Sequence, residues 1–228
     1  MNAAAAEKVP LRAKIAVMGA LLGAFMAVLN IQVTNTSLPD IQGGIGTGLD
    51  NGGWISTAYL IGEIIVIPLS GWLAGVFSLK RYLIANAVLF LFFSAACGLT
   101  SNFPEMVALR ALQGFSGGVL IPLALVCVLT LLPPHVRPLG FSMFALTATF
   151  APAIGPTIGG WITDAYGWRY IFFLNLVPGA IMLPALMWGA LAGADASGPA
   201  LEGRLGRRVH HGDRAGLPAD RAGGRQQG

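Results

Sequence analysis

Between Arg81 and Thr100 the chain runs for 18 residues, 82–99, without a charged side chain. At ~1.5 Å of rise per residue, a helix of that length covers roughly 27 Å, close to the ~30 Å hydrocarbon core of a bilayer. Five more predominantly apolar stretches follow this pattern, at 15–39, 54–77, 105–132, 139–163 and 170–191, two of them interrupted by charge: Glu63 in 54–77, and Glu105 and Arg110 in 105–132. Apolar residues make up 55% of the chain and charged residues 11%. Charge that sparse cannot solvate an ordinary globular surface, whereas lipid accepts an apolar exterior. The expected fold class is therefore an all-α integral membrane protein with a six-helix bundle.

The basic residues order these segments across the membrane. Lys8, Arg12 and Lys14 precede the first, Lys80 and Arg81 follow the second, and Arg137 lies between the fourth and fifth. The alternate connections carry Asp40, Asp50 and Asp164, with Arg169 alone among the bases. The positive-inside rule then places the N-terminus in the cytoplasm and, after six crossings, returns the chain there. A secretory signal peptide competes for the first segment. That segment continues through Asn30, Gln32, Thr34 and Asn35 to Pro39, with no convincing cleavage site, so it reads as a membrane helix. Its polar end points to a cavity rather than to lipid.

Three regions follow: a leader at 1–13, a transmembrane domain at 14–191 and a basic tail at 192–228. Residues 40–53 read as a glycine-rich loop and 133–138 as a rigid basic turn. The tail holds six arginines and no apolar periodicity, so it is expected to be disordered. A basic arm on anionic lipid is one reading of it. The preferred one is that its Arg-, Gly- and Ala-rich text comes from GC-rich DNA read out of frame, which would make the chain a truncated product. Cys97 and Cys127 both sit in apolar runs and imply neither a disulfide nor a metal site.

The fifth segment contains APAIGPTIGG at 151–160. Ala151, Gly155 and Gly159 at four-residue spacing give one helix face a strip without bulk, and Pro156 removes a backbone donor. Either close packing or a sliding helix contact would use such a seam. Two ionisable groups fall at membrane depth, Glu63 and Arg110. An acid there is costly unless paired, wet or protonated, so Glu63 is expected to take up and release a proton in each working cycle. Tyr59, one turn earlier, is in place to hydrogen-bond it; the plainer reading pairs Glu63 with Arg110 or with a backbone group. Arg110 cannot shed its charge and must find carbonyls, a carboxylate or water inside the bundle, with Gln113 one turn along sharing its network. Asn30, Gln32, Thr34, Asn35 and Gln113 offer donors and acceptors to a substrate, or stitch helices together. Trp54, Phe77 and Tyr82 near helix ends read as interface anchors.

Several of these stretches resemble one family. APAIGPTIGG is similar to the antiporter signature G-x-x-x-G-P-x-x-G-G of the major facilitator superfamily, at Gly155, Pro156, Gly159 and Gly160, with Ala151 at the first glycine. RALQGFSGG resembles that superfamily's R-x-x-Q-G motif at Arg110, Gln113 and Gly114. YGWRYIFFLNLVPG and LNIQVTNTSLP resemble segments of the fourteen-helix drug/proton antiporters of the EmrB/QacA type, the latter at Leu29, Asn35, Leu38 and Pro39. The resemblance covers about residues 14–190, one six-helix half. It implies export of amphipathic organic compounds in exchange for protons from a bacterial inner membrane, completed by a missing C-terminal half or a second copy. It also implies a role for Arg110 in proton transfer or in organising the cavity.

Besides Ala151, the chain departs from the pattern in its first helix and in the loop motif G-x-L-A-D-R-x-G-R-K, which survives only at Gly71, Leu73, Ala74 and Lys80. Asn30 stands where the family has an acid and cannot titrate, Gln32 replaces a threonine, and Gly75 replaces the acid of the loop motif. Glu63 is the substitute proton carrier. Uniport and a non-transporting or assembly fragment are the alternatives. A G-x-S-G match at 114–117 raises an intramembrane serine protease, but the histidines are His135 in a loop and His210 and His211 in the tail, so no base reaches the serine. No enzyme activity, cofactor, metal or nucleic-acid partner is expected. The partners are small organic substrate, protons and membrane lipid.

Overall fold

A computed structural model describes residues 9–189. The tail at 192–228, and with it the disordered and out-of-frame readings, lies outside the described residues, as does most of the leader. The described residues form eight helices: α1 (Leu11–Thr36), α2 (Leu38–Ile45), α3 (Leu49–Phe77), α4 (Leu79–Leu99), α5 (Phe103–Leu131), α6 (Arg137–Tyr166), α7 (Tyr170–Phe173) and α8 (Leu176–Gly189). Six spans, with α7 and α8 forming one, are long and apolar enough to cross a membrane.

The expected loop at 40–53 is mostly helical. Pro39 and Asp40 occupy the first turn of α2, where a missing N–H costs nothing and a negative charge meets the positive helix end. Gly46, in the left-handed region at φ 74°, closes the helix by donating to the Gln42 carbonyl. Gln42 lies against Gly52 and Trp168 against Gly44, so side chains hold α2 down over the bundle end. α1 also begins at Leu11, earlier than the apolar run indicates.

Other ends follow local chemistry. Asn102 accepts from the Glu105 N–H at 2.9 Å, while the Glu105 carboxylate accepts from Asn102 at 2.8 Å and Thr100 at 2.7 Å. That reciprocal cap starts α5. At its far end Arg137 donates to the Leu132 carbonyl at 3.0 Å. A single residue, Ser78 at φ 70°, joins α3 to α4 in a region that side-chain-bearing residues rarely adopt. The sixth span is not one helix. Pro178 has no N–H to offer the Leu174 carbonyl, and the ladder breaks at 174–175. Ser94 of α4 donates to the Phe172 carbonyl at 2.7 Å and accepts from Asn175 at 2.9 Å, which anchors the break.

α1 and α5 are the enclosed helices: α1 packs on α5, α6 and α8, and α5 packs on α1, α3 and α4. The broadest contact is α3 with α5. There a Cβ on Gly62 would overlap the Ala111 carbonyl, and one on Gly114 would overlap the Tyr59 carbonyl. Both backbones approach as closely as glycine allows. α6 contacts the bundle through Gly140, Ala151, Gly155, Gly159, Ile162 and Thr163 and leaves most of its surface uncovered.

Candidate functional site: a buried arginine network

Arg110, 1% exposed, is the largest fully buried side chain among the described residues. Its Nη1 donates to Asn30 Oδ1 at 2.5 Å and to Gln113 Oε1 at 2.8 Å, and its Nε donates to the Ile55 carbonyl at 3.3 Å. The guanidinium carbon sits 4.3 Å from the Tyr59 ring centroid and 5.9 Å from that of Phe172. Neutral acceptors and π-faces thus hold a permanent cation in the core, joining α1, α3, α5 and α7. A guanidinium has five N–H donors in a rigid fork, so several acceptors from different helices can converge on it. The expected Gln113 partnership is present, and Asn30 joins it.

The other expected site residues separate into two groups. Thr34 donates to the Asn30 carbonyl of its own helix at 2.8 Å and is buried, so it stitches α1 rather than facing a cavity. Gln32 is half-buried, its Cβ filling the space over Gly155 of α6. Asn35 is exposed and accepts from Ser56 of α3 at 2.6 Å. Asn30 and Gln113, 3% and 0% exposed, belong to the arginine network and do not line an open cavity.

The expected hydrogen bond from Tyr59 to Glu63 is absent. Tyr59 Oη reaches across to α1 and donates to the Ala27 carbonyl at 3.1 Å. Its ring is clamped under Arg110, which fixes where the hydroxyl can go. Glu63, 7% exposed, packs its Cα and Cγ over Gly118 of α5. Gly118 is two turns beyond Arg110, about 12 Å along the helix axis at ~1.5 Å per residue. Arg110's hydrogen bonds all go to neutral groups, so the alternative of a Glu63–Arg110 hydrogen-bonded pair is not realised among the described residues.

The glycine motif of α6 divides between two faces. A Cβ on Gly155 would strike Gln32 Cβ, and one on Gly159 would lie 3.0 Å from the Val33 backbone. Ser37 fastens this seam through Thr163 at 2.6 Å and the Gly159 carbonyl at 3.4 Å. Pro156 faces outward, and Gly160 has only Thr36 Cγ2, at 3.9 Å, near its missing Cβ. Helix α6 stays continuous through Pro152 and Pro156. Sequence reasoning missed Asn175 and Ser94, whose roles depend on the helix break. It also missed the Gly62–Gly114–Gly118 seam, although Gly114 and Gly118 at four-residue spacing were a usable signal.

A six-span helical bundle with a buried cation shared between its helices defines a multi-pass membrane protein. The Major Facilitator Superfamily model matches residues 20–211, and the chain belongs to that superfamily. It is 37% identical over 181 residues to the colistin resistance protein EmrB of Acinetobacter baumannii, covering 79% of this chain and 35% of the relative. It is 36% identical to the multidrug export protein EmrB of Escherichia coli K12, covering 72% of this chain and 32% of the relative. The fatty acid resistance protein FarB of Neisseria gonorrhoeae is also 36% identical, with 70% of this chain and 32% of the relative covered. The chain thus spans about a third of the length of these relatives. In fold it is similar to the proton:xylose symporter XylE bound to 6-bromo-6-deoxy-D-glucose, with a TM-score of 0.68 at 20% identity, covering 77% of this chain and 44% of that one.

Proposed function

We propose that this chain is the N-terminal half of an exporter of amphipathic small organic compounds, driven by proton exchange. It lies in a bacterial inner membrane with its N-terminus in the cytoplasm, and works with a C-terminal half or a second copy. The observation that carries the reading is Glu63, a carboxyl group 7% exposed within a membrane-spanning helix. An intramembrane acid that no cation neutralises by direct hydrogen bonding is suited to carry a proton. Arg110, fixed by Asn30 and Gln113, is the stationary charge that organises the core around it. The relatives named for multidrug export and fatty acid resistance support export as the direction of transport.

The G-x-S-G serine has no part in this reading. Ser116 Oγ donates to the Leu112 and Gln113 carbonyls of its own helix, each at 3.0 Å. Uniport is the second reading, favoured by Asn30, which accepts from Arg110 where a titrating acid would be needed. Inverted membrane vesicles separate the two. Export by exchange predicts that adding substrate to acidified vesicles dissipates the pH gradient, and that Glu63→Gln abolishes the response. Substrate movement without proton movement would establish uniport, and an unchanged rate in Glu63→Gln would remove Glu63 from the mechanism.

A further inference from the structure

α3 and α5 run side by side in the same direction: Tyr59 lies over Gly114, and Glu63, one turn on, lies over Gly118. A Cβ on Gly118 would come within 2.8 Å of Glu63 Cα, 2.9 Å of Val66 Cγ1 and 3.0 Å of Glu63 Cγ. The glutamate stem therefore rests on the α5 backbone itself. Only the Cγ–Cδ bond separates that packed Cγ from the carboxyl group. The groups that could satisfy the carboxyl are engaged elsewhere. Tyr59 on its own helix donates to the Ala27 carbonyl, and Arg110 on α5 is spent on Asn30, Gln113 and Ile55. Cys97 of α4 donates to Gln113 at 3.7 Å. α1 and α4, which also touch α3, carry no charged side chain at 15–39 or 82–99.

A carbonyl inside a helix is filled by the N–H four residues on. Gly118 is the exception in α5, because residue 122 is proline and has no N–H to give. The helix nevertheless continues to Leu131. Its ladder thus lacks one rung where Glu63 lies, and buried backbone carbonyls rarely stay unpaired. The two groups fit each other in one protonation state alone. An ionised carboxylate only accepts hydrogen bonds and meets a carbonyl oxygen as like partial charges, whereas a carboxylic acid has one O–H to donate.

We propose that the Gly118 carbonyl is the acceptor for protonated Glu63, and that Pro122 is the positioning residue that keeps this carbonyl free. Uptake of a proton from water converts the carboxylate to the acid and closes an O–H···O bond from α3 to α5. Release of that proton to water opens it again. The proposal rests on the reading of Glu63 as proton carrier and adds the group that receives its hydrogen.

The test is infrared difference spectroscopy, between neutral and acid pH, of the full chain in liposomes. Glu63→Gln identifies the carbonyl stretch of protonated Glu63 as the band it removes. Donating a hydrogen bond lowers that stretch. Pro122→Ala gives the Gly118 carbonyl its N–H back, so the band should move to higher frequency. Replacing Pro122 by the α-hydroxy acid analogue of alanine removes ring and N–H together, and the band should return to its wild-type position. Replacing Val119 by its own α-hydroxy acid turns the Gly118 carbonyl into an ester, a weaker acceptor, and should raise the band with Pro122 intact. Pro68→Ala is the control: it returns an N–H to the carbonyl of Ile64, a residue 69% exposed, and should leave the band unmoved. An unmoved band in Pro122→Ala or in the ester variant overturns the proposal. An equal shift in both Pro122 variants also overturns it, since the ring would then be the cause, and so does the absence of any Glu63 band on acidification. The spectra require no transport, so failure of the exporter reading would show separately, as absent proton-coupled flux with the band shift intact.

Discussion

Gly114→Ala tests the close approach of α3 and α5. The added methyl would overlap the Tyr59 carbonyl, with Tyr59 C and Cα just behind it. A side chain could rotate away from such a contact; a helix backbone cannot, so the two helices must separate. They would do so one turn from Arg110, whose guanidinium lies 4.3 Å from the Tyr59 ring centroid. Overpacking of this kind costs ~1–3 kcal/mol, and a backbone obstacle puts it at the upper end. Alanine's better helix propensity returns about 1 kcal/mol. The net loss is about 2 kcal/mol, or a fall of about 4–8 °C in Tm for a domain of this size. Gly75→Ala is the matched control, because nothing lies within 4 Å of its added Cβ and only the propensity gain applies. Melting of detergent-solubilised protein, followed by fluorescence-detected size exclusion after heating, reads both variants. Equal midpoints for Gly114→Ala and Gly75→Ala would refute the packing argument.

Asn30→Ala removes an acceptor from a buried guanidinium. It should cost about 2 kcal/mol, within the range for hydrogen bonds to charged groups, and lower Tm by several degrees in the same assay. Ser94→Ala deletes both bonds at the α7–α8 break, so amide exchange should accelerate around residues 172–179 and stay unchanged in α1. Ser78→Gly should raise Tm by relieving a positive φ worth about 1 kcal/mol or more, and a drop would show that the α3–α4 connection is unstrained. Tyr59→Phe should cost about 1 kcal/mol through loss of the Ala27 contact. It should leave proton coupling intact, since the hydroxyl does not reach Glu63.

The glycine motif of α6 was legible as a close-packing seam because a missing side chain leaves a gap wherever it occurs. Four-residue spacing then places the gaps on one face. The partner was not legible: that Gln32 and Val33 of α1 fill this seam depends on how α1 is rotated. The same applies to the polar end of α1, which reads as a cavity lining. Asn30 and Thr34 turn inward to the packed core, and Asn35 stays outside against Ser56. Residues 40–53 read as a loop because glycine disfavours an isolated helix. Gln42 and Trp168, packing on Gly52 and Gly44, supply tertiary contacts that outweigh that preference.

The sequence by itself determined that the chain crosses a membrane on six helical spans, and which residues would be expensive there. Apolar length and the self-contained backbone of a helix leave lipid few alternatives, so those properties are local. It also carried the superfamily in short motifs spread over successive helices. Tertiary structure decided who satisfies Arg110, where the Tyr59 hydroxyl goes and which glycines bring backbones together. A buried cation accepts any converging set of oxygens and π-faces, and only the packed arrangement of α1, α3, α5 and α7 selects Asn30, Gln113, Ile55 and Tyr59 from the many the chain could offer.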